Sequence, residues 1–369
     1  MSKRSGSPPP EGVLIKRARG STPPETQIAI SSAGDDSKKG LIRTIKRTSG
    51  LEAPIVSLSG AHSAEIMSCR FDPIGQNIAA CSADRGVSLW RTYPPTTNYG
   101  HLTALHKAPI LDLQWSLFSP LLYTVSADHT LLFTDLSTGE RVRRIRAHRG
   151  VINAVDRTIA GGAGVELVAT AADDGFVHVW EGGDEGGKQA VASLEVGCPV
   201  TSVCWSADGS TLYAGAIDNE IHVFDLRKSA KVYSLTGHTD TPTSLALSPN
   251  GNFLLSPSFS SQVLVHDVRP FSPSPSRIHR TLLGAPAGFE QTLLRGAWSR
   301  DDGGGRVAVG GADRMVCIWD VESGKILYKL PGHKGTVTAV DFHPKEPIVL
   351  TGSKDSTMLL GELEPGMAI

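Results

Sequence analysis

No apolar run in this 369-residue chain approaches the roughly 20 residues that span a bilayer, and the polar N-terminus has no apolar core of the secretory kind. The sequence therefore predicts a soluble, intracellular protein with no membrane attachment. Cysteine is scarce: five residues, Cys69, Cys81, Cys198, Cys204 and Cys317, an odd number with no C-x-x-C pair. That argues against a disulfide framework and against a zinc site. Cys69, Cys81 and Cys317 fall in apolar runs, where a reduced thiol packs as a small apolar group. No Gly-rich phosphate loop and no separate cluster of metal ligands stands out. The expectation is no cofactor, no metal, no catalytic residue and no small-molecule substrate. Net charge is also nearly absent, at −1, but the average hides a split. Residues 1–50 carry ten Lys or Arg against four Asp or Glu and are rich in Ser, Pro and Gly, so they cannot bury enough apolar surface to offset chain entropy. A disordered basic tail is expected ahead of a mildly acidic domain.

What the chain does contain is glycine (39), proline (23) and a repeat. A His followed 22 residues later by a turn acid recurs at His62 and Asp84, His106 and Asp128, and His333 and Asp355. Aligned on that acid there are seven copies, at Asp84, Asp128, Asp174, Asp218, Ser260, Asp313 and Asp355. Six residues after each stand Trp90, Thr134, Trp180, Phe224, His266, Trp319 and Gly361, often followed by Asp. The steps between these are 44, 46, 44, 42, 53 and 42 residues, a period that suits a four-stranded propeller blade with one insertion. These are Trp-Asp repeats with worn copies.

Strand alternation tests the alignment independently, because residues two apart on a strand share a side of the sheet. Three residues after the turn position stand Val87, Leu131, Val177, Ile221, Val263, Val316 and Met358. Five after it stand Leu89, Phe133, Val179, Val223, Val265, Ile318 and Leu360. All fourteen are apolar, as a strand packed between neighbouring blades requires. The fold class is all-β: one seven-bladed propeller over residues 51–369. The last repeat offers three strands, near 337–342, 347–352 and 357–363, and the lone run at 54–58 is expected to complete that blade as its outer strand.

His62, Ser82, Asp84 and Trp90 match the four-residue network of such repeats, with the His donating to the Asp and the Ser hydroxyl linking His to indole N–H. The same residue types occur in hydrolase triads, but partial copies at Ser126, Asp128 and His106 and at Ser353, Asp355 and His333 would make several active sites in one chain. The network reads as structural. Copies four and six lack a clear Gly-His step, and Thr134, Ser260, His266 and Gly361 weaken others.

Several stretches outside the repeat signature are more particular: Ile217-Asp218-Asn219 through Asp225-Leu226-Arg227, Asp267 to Phe271, Phe289-Glu290 with Leu293-Leu294-Arg295, Ile326 to His333, and His343-Pro344 with Glu346-Pro347-Ile348. Through them residues 51–369 closely resemble the Trp-Asp-repeat subunits of the spliceosomal U5 small nuclear ribonucleoprotein. The resemblance implies a nuclear, non-enzymatic scaffold in pre-mRNA splicing, placed beside the large U5 scaffold protein and meeting U-rich small nuclear RNA mainly indirectly. Lys16, Arg17 and Arg19 have the form of a short nuclear-import cluster.

Two other readings stay open on the residues alone. Asp225-Leu226-Arg227 and Asp267-Val268-Arg269 resemble the acid-x-Arg ending of cullin ubiquitin ligase substrate receptors, though Phe224 and His266 replace the preceding Trp. Arg141, Arg143, Arg144, Arg146 and Arg149 form a dense basic run, but without interleaved aromatics for base stacking. Candidate partner contacts are the residues after the turn acids, Arg85, His129, Asn219 and Arg314, which differ from blade to blade. The insertion 270–288 adds Phe271, Arg277 and Arg280.

Overall fold

The structure is a computed structural model; it describes residues 49–364 except 161–163, 185 and 301–304, together with the short strands Gln27–Ala29 and Ile42–Thr44. Those two strands pair antiparallel within the N-terminal unit, residues 1–48. The tail's composition gave no sign of this pairing. Otherwise the expected disorder of the tail and the candidate import residues Lys16, Arg17 and Arg19 lie outside the described residues.

From Ser49 onward every described strand belongs to one of seven four-stranded antiparallel sheets. Blade one runs outward through Ile66–Phe71, Asn77–Ser82, Val87–Arg91 and Asn98–Leu102. Inner strands of successive blades touch all the way round, the seventh against the first. The fourteen apolar residues of the third strands are all buried. Most of the residues between them, such as Ser88, Leu132 and Leu264, are buried too, and His178 and Leu359 are half-buried, so this strand is covered on both faces.

Blade seven takes Val337–Phe342, Ile348–Ser353 and Met358–Glu362 from the end of the chain and Ile55–Leu58 from its beginning. Ile55 pairs with Gly361 and Leu58 with Met358. Side chains then lock this blade to the first: Thr338 Oγ1 donates to the Ile66 carbonyl (2.5 Å) and the Asp341 carboxylate accepts from the Phe71 amide (2.9 Å). The same positions tie other blades. Asn153, Thr201 and Thr243 reach the carbonyls of Val200, Pro242 and Leu294, and Asp156 accepts from the amide of Trp205. Asp112, two residues earlier on its own strand, accepts from the amide of Val155. A buried carboxylate given backbone N–H donors is satisfied while it staples two sheets. Four of the five cysteines are buried, and Cys198 is half-buried.

Candidate interaction surfaces

Every blade presents the same hairpin between its second and third strands. In blade one the Arg85 amide donates to the Ser82 carbonyl and the Ser82 amide to the Gly86 carbonyl. The residue after the turn acid is left-handed in all seven: Arg85 (φ 71°), His129 (66°), Gly175 (82°), Asn219 (68°), Ser261 (62°), Arg314 (67°) and Ser356 (63°). This is a turn closed by one left-handed residue, a position that favours Gly or Asn. Blades one and six nevertheless place an arginine there, and both side chains are exposed. His129 and Asn219 are half-buried.

Beneath the turn, the His62 ring bonds the Asp84 carboxylate through Nδ1 (2.9 Å) and the Ser88 hydroxyl through Nε2 (2.8 Å), and Trp90 Nε1 donates to the same hydroxyl (2.9 Å). The linking hydroxyl is thus Ser88, where the sequence had suggested Ser82. Ser82 instead donates to the Ala64 carbonyl and receives the Asp84 amide. The cause lies in the strand pairing. In blade three the linking hydroxyl is Thr170 on the second strand, bonded to both His148 and Trp180. The equivalent second-strand residue in blade one is Ala80, and Ser88, paired opposite it on the third strand, supplies the oxygen. His106 uses Thr124, His238 uses Ser256 and His333 uses Thr351.

Burial opposes ionisation of Asp84 and Asp128, but the bonds from His62 and His106 outweigh it and hold both carboxyls below their ordinary range. Burial, with His178 stacked alongside, pushes the His148 imidazole down to about 4. The loop histidines so placed act as struts, and blade four has a variant that the sequence did not disclose: His222, on the third strand, bonds Asp218 through Nε2 (2.8 Å).

Because the loop histidines touch the turn acids, the loops entering each blade share one rim with Arg85, His129, Asn219 and Arg314. Phe289, on the loop entering blade six, is a fully exposed aromatic on that same rim, although it had not been singled out as a contact. The expected insertion is divided by a strand: 268–277 is a loop on the opposite rim, Ile278–Leu283 is the outer strand of blade five, and 284–288 belongs to the loop entering blade six, so Arg280 is a strand residue whose guanidinium reaches the Glu322 carbonyl. Arg277 (φ 54°) folds back onto the Arg269 carbonyl (2.7 Å) and over the Tyr233 ring, which makes it a clamp of its own loop. Phe271 is almost fully exposed.

The basic run forms the outer strand of blade two, Arg141–Arg146. Its members are not alike. Arg143 is buried, lies over the Phe133 ring and donates to the carbonyls of Glu181 and Gly187. Arg144 lies 3.4 Å from Asp128, and Arg146 is exposed. The ring axis holds a cavity of 440 Å³ lined by Arg70, Asp112, Asp156, Arg157, Arg295 and Asp341.

Residues 53–91, 189–225, 229–267 and 324–360 match the model of the WD domain, G-beta repeat. The U5 small nuclear ribonucleoprotein 40 kDa protein of Dictyostelium discoideum is 38% identical over 361 residues, covering 96% of this chain and 98% of its own. This chain belongs to that WD-repeat family. The pre-mRNA-splicing factor cwf17 of Schizosaccharomyces pombe is 39% identical, covering 86% of this chain and 90% of its own. The Homo sapiens U5 40 kDa protein is 38% identical, covering 86% of both chains. Within this family the worn repeats Thr134, Ser260 and His266 lie in blades that are still complete four-stranded sheets.

Proposed function

We propose that this chain is a non-catalytic protein-interaction scaffold in pre-mRNA splicing, acting in the nucleus as a component of the U5 small nuclear ribonucleoprotein. The observation that carries the reading is end-to-end similarity to a U5 40 kDa protein, 98% of whose length is covered. The geometry supports a scaffold in a second way. The His, Asp and hydroxyl groups that resemble catalytic sets recur in blade after blade and are used up holding loops to turns. The variable residues stand on a rigid rim, the usual carriers of recognition. The partner is the large U5 scaffold protein, docked through the rim bearing Arg85, Arg314 and Phe289 or through the opposite loop bearing Phe271, and small nuclear RNA is reached mainly through proteins. The cullin-receptor reading finds no support in these relatives, and Arg269 is clasped by its own Asp267 (2.9 and 2.6 Å).

Affinity purification of the tagged chain with RNA sequencing tests this. U5 proteins and U5 RNA are expected; recovery of a cullin adaptor without them would overturn it. Arg85→Glu with Arg314→Glu, and separately a shortened 270–276 loop that spares the blade-five strand, identify the docking rim by which variant leaves the particle.

A further inference from the structure

Blade four departs from the repeat in one respect that has chemical content. In blades one, two, three and seven a loop histidine four residues before the inner strand ties the incoming loop to the turn acid. In blade four that position is Val196, an apolar residue unable to do so. Two other groups gather at the turn acid instead. Cys198 comes from the incoming loop and His222 from the third strand, and one ligand atom of each, with one carboxylate oxygen of Asp218, all lie within 4.8 Å of one another.

Two further sets of this kind exist among the described residues, His62 with Asp84 and His101, and His148 with Asp174 and His178. In both, the loop histidine already has both ring nitrogens bonded within the repeat network. The His222 ring differs. Nε2 meets only Asp218, at 2.8 Å, and Nδ1 is buried with no hydrogen-bond partner. No hydroxyl relay holds it. The Asp218 side chain is 37% exposed, which leaves an entry path from solvent, whereas the imidazole is 5% exposed and fixed by packing.

We propose that Cys198, Asp218 and His222 form a divalent transition-metal site of zinc type on the turn rim of blade four, with a fourth position open to water or to a partner's side chain. A thiolate with an imidazole and a carboxylate is a donor set for zinc and its neighbours, while magnesium and calcium prefer oxygen alone. With bond lengths of about 2.0–2.3 Å, ligand atoms at a tetrahedral zinc stand roughly 3.3–3.8 Å apart, so a pair at the 4.8 Å limit closes by about 1 Å, shared between two side chains. Binding of the metal displaces the thiol proton of Cys198 to solvent and takes the sulfur as thiolate. The ion would then do in blade four what the loop histidine does elsewhere, tying the incoming loop to the turn.

The test uses the untagged, chelator-treated full chain titrated with cobalt(II). A thiolate-to-cobalt charge-transfer band in the near ultraviolet and intense tetrahedral ligand-field bands are expected, both removed by zinc(II). Cys198→Ser, a half-buried position, is expected to abolish the charge-transfer band with the fold intact by circular dichroism. Asp218→Asn, at a more exposed position, should weaken cobalt binding at least about tenfold, since loss of an outer-sphere partner alone costs that much. Zinc should raise the melting temperature of the wild type and not of Cys198→Ser. Absence of the band at excess cobalt, or an unchanged band in Cys198→Ser, would overturn the site.

Discussion

Arg295 of blade six donates to the Asp112 carboxylate of blade two, Nη1 to Oδ2 at 3.0 Å, although blades seven and one separate them around the ring. Its second nitrogen reaches the carbonyls of Leu111 and Asn153. One side chain therefore spans the axis and binds three blades, inside a cavity where both partners are nearly buried. Removing the arginine leaves a buried carboxylate with two backbone amides and, at 3.9 Å, the Arg70 guanidinium. Arg295→Met is expected to destabilise the ring by about 3 kcal/mol, the lower end for a broken buried pair, because Leu113 and Val155 amides still serve Asp112. Urea unfolding of the single and double variants with Asp112→Asn measures the coupling; additive effects would show that the pair does not act as a unit.

The placement of the linking hydroxyl predicts an inequality between two serines. Ser88→Ala strips a partner from both His62 Nε2 and Trp90 Nε1, at a cost of roughly 1–3 kcal/mol for buried groups left unpaired. Ser82→Ala removes two bonds to partly buried loop and turn backbone and leaves both His62 and Trp90 paired, so it should cost less, about 1 kcal/mol. Asp84→Ala should resemble Ser88→Ala. Thermal melts rank the three, and a larger loss for Ser82 than for Ser88 would contradict the geometry.

The contrast between these serines shows what a sequence of this kind discloses. Turn acids and the fourteen apolar third-strand residues are legible because the blade period fixes them whatever the neighbours are. Ser82 and Ser88 are both close to Asp84 in the chain, and only cross-strand register, Ala80 opposite Ser88, decides which hydroxyl faces His62. Arg295 was visible as part of a family-like stretch, yet its partner lies 183 residues away and no local pattern announces it. His222 was hidden in an ordinary strand, and Arg280 was assigned to a loop because the insertion conceals where the outer strand of blade five resumes.

Acid should weaken this ring. Burial pushes His148 and His238 down to about 4, and burial with His238 nearby pushes His266 down to about 3. Below the ordinary histidine value near 6.5 the unfolded chain takes up protons that the folded chain refuses, so stability falls as pH drops from about 6.5 towards 4. His266 stands at a repeat tryptophan position, fully buried, with neither ring nitrogen bonded. His266→Leu, close in volume and without polar atoms, is expected to raise the melting temperature at pH 7 by a few degrees and to flatten its fall between pH 6.5 and 4. A melting temperature that is lower at both pH values would mean that the imidazole has a partner.

Ring closure predicts an asymmetry between two truncations. Removing 51–60 takes away Ile55–Leu58 and exposes the Met358–Glu362 edge, while removing 1–48 leaves all seven sheets complete. The first should abolish cooperative unfolding and promote aggregation. The second should melt like the full chain, and equal melting of the two would deny the closing strand its role.

Left-handed arginines on the turn rim set stability against recognition. Arg85 and Arg314 occupy a conformation that costs an L-residue roughly 1–2 kcal/mol, and the equivalent residue of blade three is Gly175, which avoids that cost. Glycine gives back part of the gain through its freer unfolded chain, so Arg85→Gly with Arg314→Gly should leave the ring as stable or up to about 1 kcal/mol more stable. If the two guanidiniums dock a U5 protein, the same variant should be lost from U5 particles on salt washing, since exposed charges at an interface govern association and its ionic-strength dependence. Pull-down across a salt series together with melting temperature separates the two effects. Loss of particle retention with undiminished stability assigns the arginines to recognition; full retention at every salt concentration assigns docking to the opposite rim, where Phe271 is exposed.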